Sequence, residues 1–281
     1  MEIFRTAVEL RQWSRNARLL SGNTVGLVPT MGALHEGHAS LIRAAAVTCS
    51  HVAVSIFVNP TQFGPNEDFA HYPRTFDADC VLAAAAGATA IYAPSVDDLY
   101  PQGASTFVEI EGLGNRLDGL TRPGHFRGVA TIVAKLLIAA EADRAYFGQK
   151  DAAQVSVIRR MVADLLIATK IVVCPIVRDS AGLALSSRNA YLSATERAQA
   201  LTLNRAIRHV ESRASSGERR ASALIAAAQG VFNDEPAILV DYIECVNWST
   251  LEPVEFAAPG TLFAVAAYVG KTRLIDNTIL G

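Results

Sequence analysis

The sequence predicts an α/β chain, a parallel sheet with helices on both faces followed by a smaller α+β domain. Three observations carry this prediction. Through the first two thirds, short β-branched runs alternate with Ala-rich stretches long enough to be helices. The length of 281 residues exceeds the usual size of one domain, and a composition 51% hydrophobic and 19% charged suits a chain with a sizeable core. After Pro175 the pattern changes to a polar segment, two helical stretches and three strand-like runs. Together these place a Rossmann-like first domain at 1–176 and a smaller α+β domain at 177–281.

Taken in order, the runs 25–30, 52–58, 88–93, 106–110, 145–147 and 170–174 read as strands, because they are β-branched or apolar. Segments 38–49, 75–86, 124–141 and 152–163 read as helices, each with enough apolar positions to cover one face of the sheet. In the second domain, Ser193 followed three residues on by Glu196 has the spacing of a capping box and opens a helix. Another helix over 219–232 follows the Ser215-Ser216-Gly217 turn, and strands follow at 239–246, 262–269 and 273–280.

The formal net charge is −2 with no basic stripe, which argues against nucleic acid as a partner. The apolar stretches 81–90 and 129–140 are too short to span a bilayer. Residues 1–20 mix apolar positions with Glu2, Arg5, Glu9, Arg11, Arg15 and Arg18, unlike a signal peptide. The expectation is a cytoplasmic chain with no membrane partner. Cys49, Cys80, Cys174 and Cys245 are scattered through apolar segments without C-x-x-C spacing and read as buried free thiols.

The most informative stretch is Val28-Pro-Thr-Met-Gly-Ala-Leu-His-Glu-Gly-His38, directly after the first strand of the alternating pattern and opening the first helix. In an open α/β sheet, ligands bind beyond the carboxyl ends of the strands, where helix N-termini favour anions. Gly32 and Gly37 permit tight turns and close backbone approach, while His35 and His38 can donate to phosphate oxygens. A single histidine at a strand end is more often an ordinary surface or core residue, but a pair set among glycines weakens that reading. The pair also lacks the further ligands that a zinc site needs, so no metal site is expected from it. P-loop and G-x-G-x-x-G strings are absent.

Two further clusters follow the same logic. Phe147-Gly148-Gln149-Lys150-Asp151 closes a predicted strand and starts a helix, offering Lys150 as a positive charge for a phosphate. Asp151 can contact a ribose, hold a metal-bound water or simply cap the helix. Leu185-Ser186-Ser187-Arg188-Asn189 supplies hydroxyls and a guanidinium suited to a triphosphate, and reads equally well as a polar linker.

The three clusters together match the HIGH/KMSKS nucleotidylyl transferase superfamily. Over positions 24–279 the chain resembles, more closely, the pantothenate synthetase (pantoate–β-alanine ligase) family. The resemblance extends to Phe57-Val-Asn-Pro-Thr-Gln-Phe63, Tyr72-Pro-Arg-Thr75, Arg122-Pro-Gly-His-Phe-Arg-Gly128 and Gly270-Lys-Thr-Arg-Leu-Ile-Asp-Asn277. It implies that Met31, Gly32, Ala33, Leu34, His35, Glu36, Gly37 and His38 line the ATP site, with His38 the proton donor and His35 beside it. It implies ATP contacts from Gly148, Gln149, Lys150, Asp151, Val177, Leu185, Ser186, Ser187 and Arg188 as well. Gln62 and Gln154 resemble the family's glutamines for pantoate and β-alanine, and Asn59, Tyr72 and Arg122 fall in motifs near that pocket. Leu185 stands where many relatives have Met, a mild apolar exchange.

The reaction implied is attack of the pantoate carboxylate on the α-phosphorus of ATP, giving pantoyl adenylate and pyrophosphate, then attack by β-alanine, releasing AMP and pantothenate. Magnesium is expected with ATP, the second domain is expected to act as a lid, and a homodimer is expected with an apolar contact near 107–110. Among other classes, a transferase that passes AMP to a phosphate acceptor differs by needing no amine. A tRNA synthetase fragment lacks its basic RNA surface, and a non-catalytic nucleotide sensor would not retain all three clusters.

Overall fold

The computed structural model describes residues 1–19, 22–65 and 67–281, and residues 20, 21 and 66 lie outside them. The chain divides into two compact units, Met1–Gly148 with Val157–Pro175, and Gln149–Ser156 with Ile176–Gly281.

The first unit is built on strands β1 (Glu2–Phe4), β2 (Val25–Thr30), β3 (His51–Ile56), β4 (Ala90–Tyr92), β5 (Arg144–Gly148) and β6 (Lys170–Cys174). All pairings are parallel and the order is β1-β4-β3-β2-β5-β6. From β2 the sheet therefore grows through β3 and β4 on one side and through β5 and β6 on the other, which makes β2/β5 the topological switch point. Pairing between these two strands is confined to Gly26–Arg144 and Leu27–Ala145. Beyond that register the strands part toward their carboxyl ends, Thr30 on β2 and Gly148 on β5.

The helices of this part of the chain are α1 (Ala7–Ala17), α2 (Glu36–Thr48), α3 (Phe76–Ala85), α4 (Val96–Leu99), α5 (Asp118–Thr121), α6 (His125–Ala140) and α7 (Ala152–Asp164). On α2, Ala39, Ile42 and Ala45 recur at helical spacing and bury with Val28, Val52, Val54 and Ile91. Adjacent strand residues point to opposite faces, and Leu27 is as fully buried as Val28, so both faces of β2 are covered. Helix α6 buries Phe126, Val129, Val133, Leu136 and Leu137, and α1 is tied to its end by Ser14 Oγ donating to the Ala140 carbonyl at 2.5 Å.

In the second unit, α8 (Ala194–Ser215) and α9 (Ala221–Asn233) pack on an antiparallel sheet of β7 (Ile238–Asn247), β8 (Thr261–Val269) and β9 (Thr272–Ile279), ordered β7-β8-β9. Leu203, Ile207, Val210, Leu224, Phe232, Phe263 and Val265 form its core. The Ser193–Glu196 capping box is present, with the Ser193 amide donating to Glu196 at 2.8 Å.

Two features depart from the sequence reading. Residues 106–110 form no strand: the Val108 amide donates to Thr131 Oγ1 on α6 at 2.9 Å, and the exposed Phe107 lies under the Arg127 guanidinium, 3.9 Å from ring centroid to Arg127 Cζ. A β-branched composition describes an edge segment as well as a strand, and here a side chain satisfies the backbone donor. Conversely, β1 and α1 are additional elements. Their signal was the Thr6-x-x-Glu9 spacing, a capping box in which the Thr6 amide donates to Glu9 at 2.9 Å.

All four cysteines are free, three buried and Cys80 half-buried. Among the described residues no helix is long and apolar enough to cross a membrane.

Candidate active site

At the carboxyl end of β2, the chain turns through Gly32 (φ 83°) and Ala33 (φ 49°) into His35, the N-cap of α2. A Cβ on Gly32 would meet Asp79 Oδ2 at 3.0 Å and Ile56 Cγ2 at 3.2 Å, so positive φ and close approach both select glycine. Asp79, on α3 and only 2% exposed, shapes the loop: its carboxylate accepts from the Ala33 amide at 3.0 Å and the Leu34 amide at 2.8 Å. Thr75 Oγ1 donates to the same carboxylate at 3.0 Å. The Ala33 and Leu34 amides are thus spent on the fold, and these two residues shape the turn.

The two histidines form a reciprocal cap. His35 Nδ1 accepts from the Gly37 amide at 3.1 Å, and His38 Nδ1 accepts from the His35 amide at 3.2 Å, with the rings 4.1 Å apart between centroids. An Nδ1 that accepts carries no proton, so each neutral ring holds its proton on Nε2 as a donor. The helix start therefore fixes the tautomer of both rings. Glu36 pairs with Arg43 on the same helix.

A second group in this unit surrounds Gln62. Asn59, 0% exposed, donates from Nδ2 to Gln62 Oε1 and to the Gly128 carbonyl, each at 3.1 Å. Its Oδ1 accepts from Tyr100 at 2.9 Å and from Thr61 Oγ1 at 3.0 Å. With its oxygen turned to Asn59, the Gln62 amide directs Nε2 to Met31 Sδ at 3.0 Å, which links this group to the histidine loop. Asn59 is thus a buried organiser of Gln62. Tyr72 is buried and packs edge-on to Phe63, with centroids 6.0 Å apart.

Arg122 has its Nε and Nη2 edge taken by Glu67, at 2.7 and 2.6 Å. Burial opposes ionisation of Glu67, yet the Arg122 hydrogen bonds and charge hold its carboxyl below the usual range. Arg122 Nη1 also donates to His125 Nε2 at 3.0 Å, so His125 carries its proton on Nδ1 and donates to the Gln62 carbonyl at 2.9 Å. Burial, and then the Arg122 charge, push His125 down to about 4, against the weaker pull of Asp118 and Glu67.

Above pH 6.5, the ring's ordinary value, His125 is neutral folded or unfolded and its contribution is complete. As pH falls from 6.5 to about 4, the unfolded chain takes up a proton that the folded chain refuses, so stability declines. His125→Asn, which keeps a donor at the Nδ1 position, is expected to remove on the order of 2–3 kcal/mol of that decline. Urea unfolding at a series of pH values checks this, and an equally steep decline in parent and variant would contradict it.

The second unit carries the other candidates. Lys150 lies in the 3-10 turn Gln149–Asp151, just past Gly148, and its Nζ stands 3.4 Å from Asp151 Oδ1. Gln149 Nε2 donates to Asn277 Oδ1 at 3.2 Å. Gln154 sits half-buried on α7. The Val177 carbonyl accepts from the Leu185 amide at 2.9 Å, closing a loop that Arg178 anchors to Asp276 at 2.6 and 2.8 Å. Ser186 caps the 3-10 turn Ser187–Tyr191 by accepting from the Arg188 amide at 3.3 Å. The segment is thus an ordered turn.

The candidates thus fall into two sets, one in each unit. Several partners hold the foreseen residues in place: Asp79, Glu67 and Tyr100, which the sequence does not single out, and His125 and Asn277, which stand in the quoted strings without a role of their own. Among the described residues no three or more His, Cys, Asp or Glu side chains are grouped to hold a metal ion.

Comparisons with known proteins place the chain in a family. A model of the family described as pantoate-beta-alanine ligase matches residues 2–279. The pantothenate synthetase of Acidobacterium capsulatum is 56% identical over 282 residues, covering 99% of this chain and 94% of the relative. The crystal structure of the Thermus thermophilus pantothenate synthetase matches with a TM-score of 0.93 at 41% identity over 99% of both chains. That of the Francisella tularensis pantoate-beta-alanine ligase, complexed with beta-gamma ATP and beta-alanine, matches at 0.80 and 34% identity over 99% of this chain and 97% of that one. With a family model spanning nearly its whole length and relatives this close, the chain belongs to the pantoate–β-alanine ligase family.

Proposed function

We propose that the residues of the two sets divide the work of an ATP-dependent ligation between phosphate chemistry and recognition of the acid and the amine. The chain joins pantoate to β-alanine, consuming ATP and releasing AMP and pyrophosphate, through a pantoyl-adenylate intermediate. The observation that carries the assignment of roles is the histidine cap at the β2/β5 switch point. It fixes Nε2–H on His35 and His38 at a helix N-terminus, where developing negative charge on a leaving pyrophosphate is stabilised.

In this reading Lys150, Ser186, Ser187 and Arg188 neutralise the phosphates, while Gly148, Gln149, Asp151, Val177 and Leu185 shape their surroundings. Gln62 and Gln154 bind pantoate and β-alanine by their amides. Asn59, Tyr72 and Arg122 serve that pocket by holding Gln62, Phe63 and Glu67. The Francisella relative binds beta-gamma ATP and beta-alanine, and the same pair is assigned here to this chain. Magnesium enters with ATP as the nucleotide's chelate, its ligands drawn mainly from phosphate and water. A cytoplasmic location, a homodimer and a lid role for 177–281 complete the proposal.

Mass spectrometry of the products tests it. With ATP, magnesium and pantoate present, pantothenate and AMP are expected to accumulate only when β-alanine is added. AMP release at the same rate without the amine, with no pantothenate, would overturn the assignment.

A further inference from the structure

Lys150 sits on a 3-10 turn of three residues, and the backbone of that turn sets the point from which its long, flexible side chain reaches out. That backbone is gripped by a side chain from the end of the sequence. Asn277 on β9, 4% exposed, donates from Nδ2 to the Gln149 carbonyl at 3.0 Å and to the Lys150 carbonyl at 2.9 Å. Its Oδ1 accepts from Gln149 Nε2 at 3.2 Å. Two carbonyl oxygens can be met only by an NH2 group, which fixes the orientation of the amide. The next residue back is anchored as firmly: Asp276 accepts from the Asn277 amide at 2.8 Å and from both Nη atoms of Arg178 at 2.6 and 2.8 Å.

We propose that Asn277 is a positioning residue for Lys150, holding the two consecutive carbonyls of the Gln149–Lys150 turn so that the lysine presents its charge to the phosphates of ATP. The proposal rests on the reading of Lys150 given above. Asn277 touches no reacting atom. Its chemistry is specific, because aspartate has the same shape but offers no donor and would set a negative charge against two carbonyls.

The test is a double-mutant cycle on the full chain, read as the dissociation constant for MgATP by calorimetry. Asn277→Ala and Asn277→Asp are each expected to weaken MgATP binding about tenfold in the parent, and less than about twofold in a Lys150→Ala background. Should the alanine variant fail to fold, Asn277→Asp and Asn277→Ser carry the same comparison. A full tenfold loss in both backgrounds would mean that Asn277 acts independently of Lys150, and parent-like binding by Asn277→Asp would mean that it only fills space. Either result overturns the proposal. Lys150→Ala alone binding MgATP like the parent would instead sink the reading of Lys150, a failure visible without any change at Asn277.

Discussion

Alanine at His38 or at Lys150 is expected to lower pantoate-dependent adenylate formation by roughly a hundred- to a thousandfold, the cost of losing a preorganised donor to developing charge. The two variants differ in what else they disturb. Lys150 makes no cap, so its loss should leave the unfolding midpoint close to that of the parent. His38 also accepts the His35 amide through Nδ1, so His38→Ala additionally removes a cap hydrogen bond worth about 1 kcal/mol. His38→Asn separates the two roles: its side-chain oxygen can take the His35 amide, and no imidazole Nε2–H remains. Adenylate formation within a few-fold of the parent in His38→Asn or Lys150→Ala would contradict the roles assigned to them.

Gly128→Ala is expected to damage both stability and pantoate binding, because it adds a methyl where there is no room for one. Gly128 faces the 3-10 turn Pro60–Gln62, and a Cβ there would lie 2.3 Å from the Thr61 carbonyl oxygen and 2.7 Å from Gln62 Cα. These are backbone atoms with no rotamer to change, so α6 and the turn must separate. Separation also stretches the Asn59–Gly128 hydrogen bond that aims Gln62. Overpacking of this kind costs about 3 kcal/mol, and the displaced glutamine should raise the KM for pantoate about tenfold. Urea unfolding and pantoate saturation curves check both, and parent-like values in each would show that the contact is not tight.

The histidine loop, the Lys150 turn and the Ser186–Arg188 turn are legible in the sequence because each is a contiguous string whose glycines, caps and charges act on near neighbours. Their braces are not. Asp79 meets Ala33 across 46 positions, Arg122 meets Glu67 across 55, and Asn277 meets Lys150 across 127. Taken alone, each of these is an ordinary polar residue on a helix, loop or strand, and only the folded chain brings it to its partner. The same limit explains 106–110, where composition favours a strand but the Val108 amide is met by Thr131, 23 positions on, and not by a neighbouring strand.

On the two-step route an adenylate forms before the amine is needed. Exchange of labelled pyrophosphate into ATP, measured with pantoate and magnesium but no β-alanine, tests this directly. Exchange is expected to depend on pantoate and to be lost in Lys150→Ala. Absence of exchange in an intact protein that still makes pantothenate once β-alanine is added would contradict the two-step route.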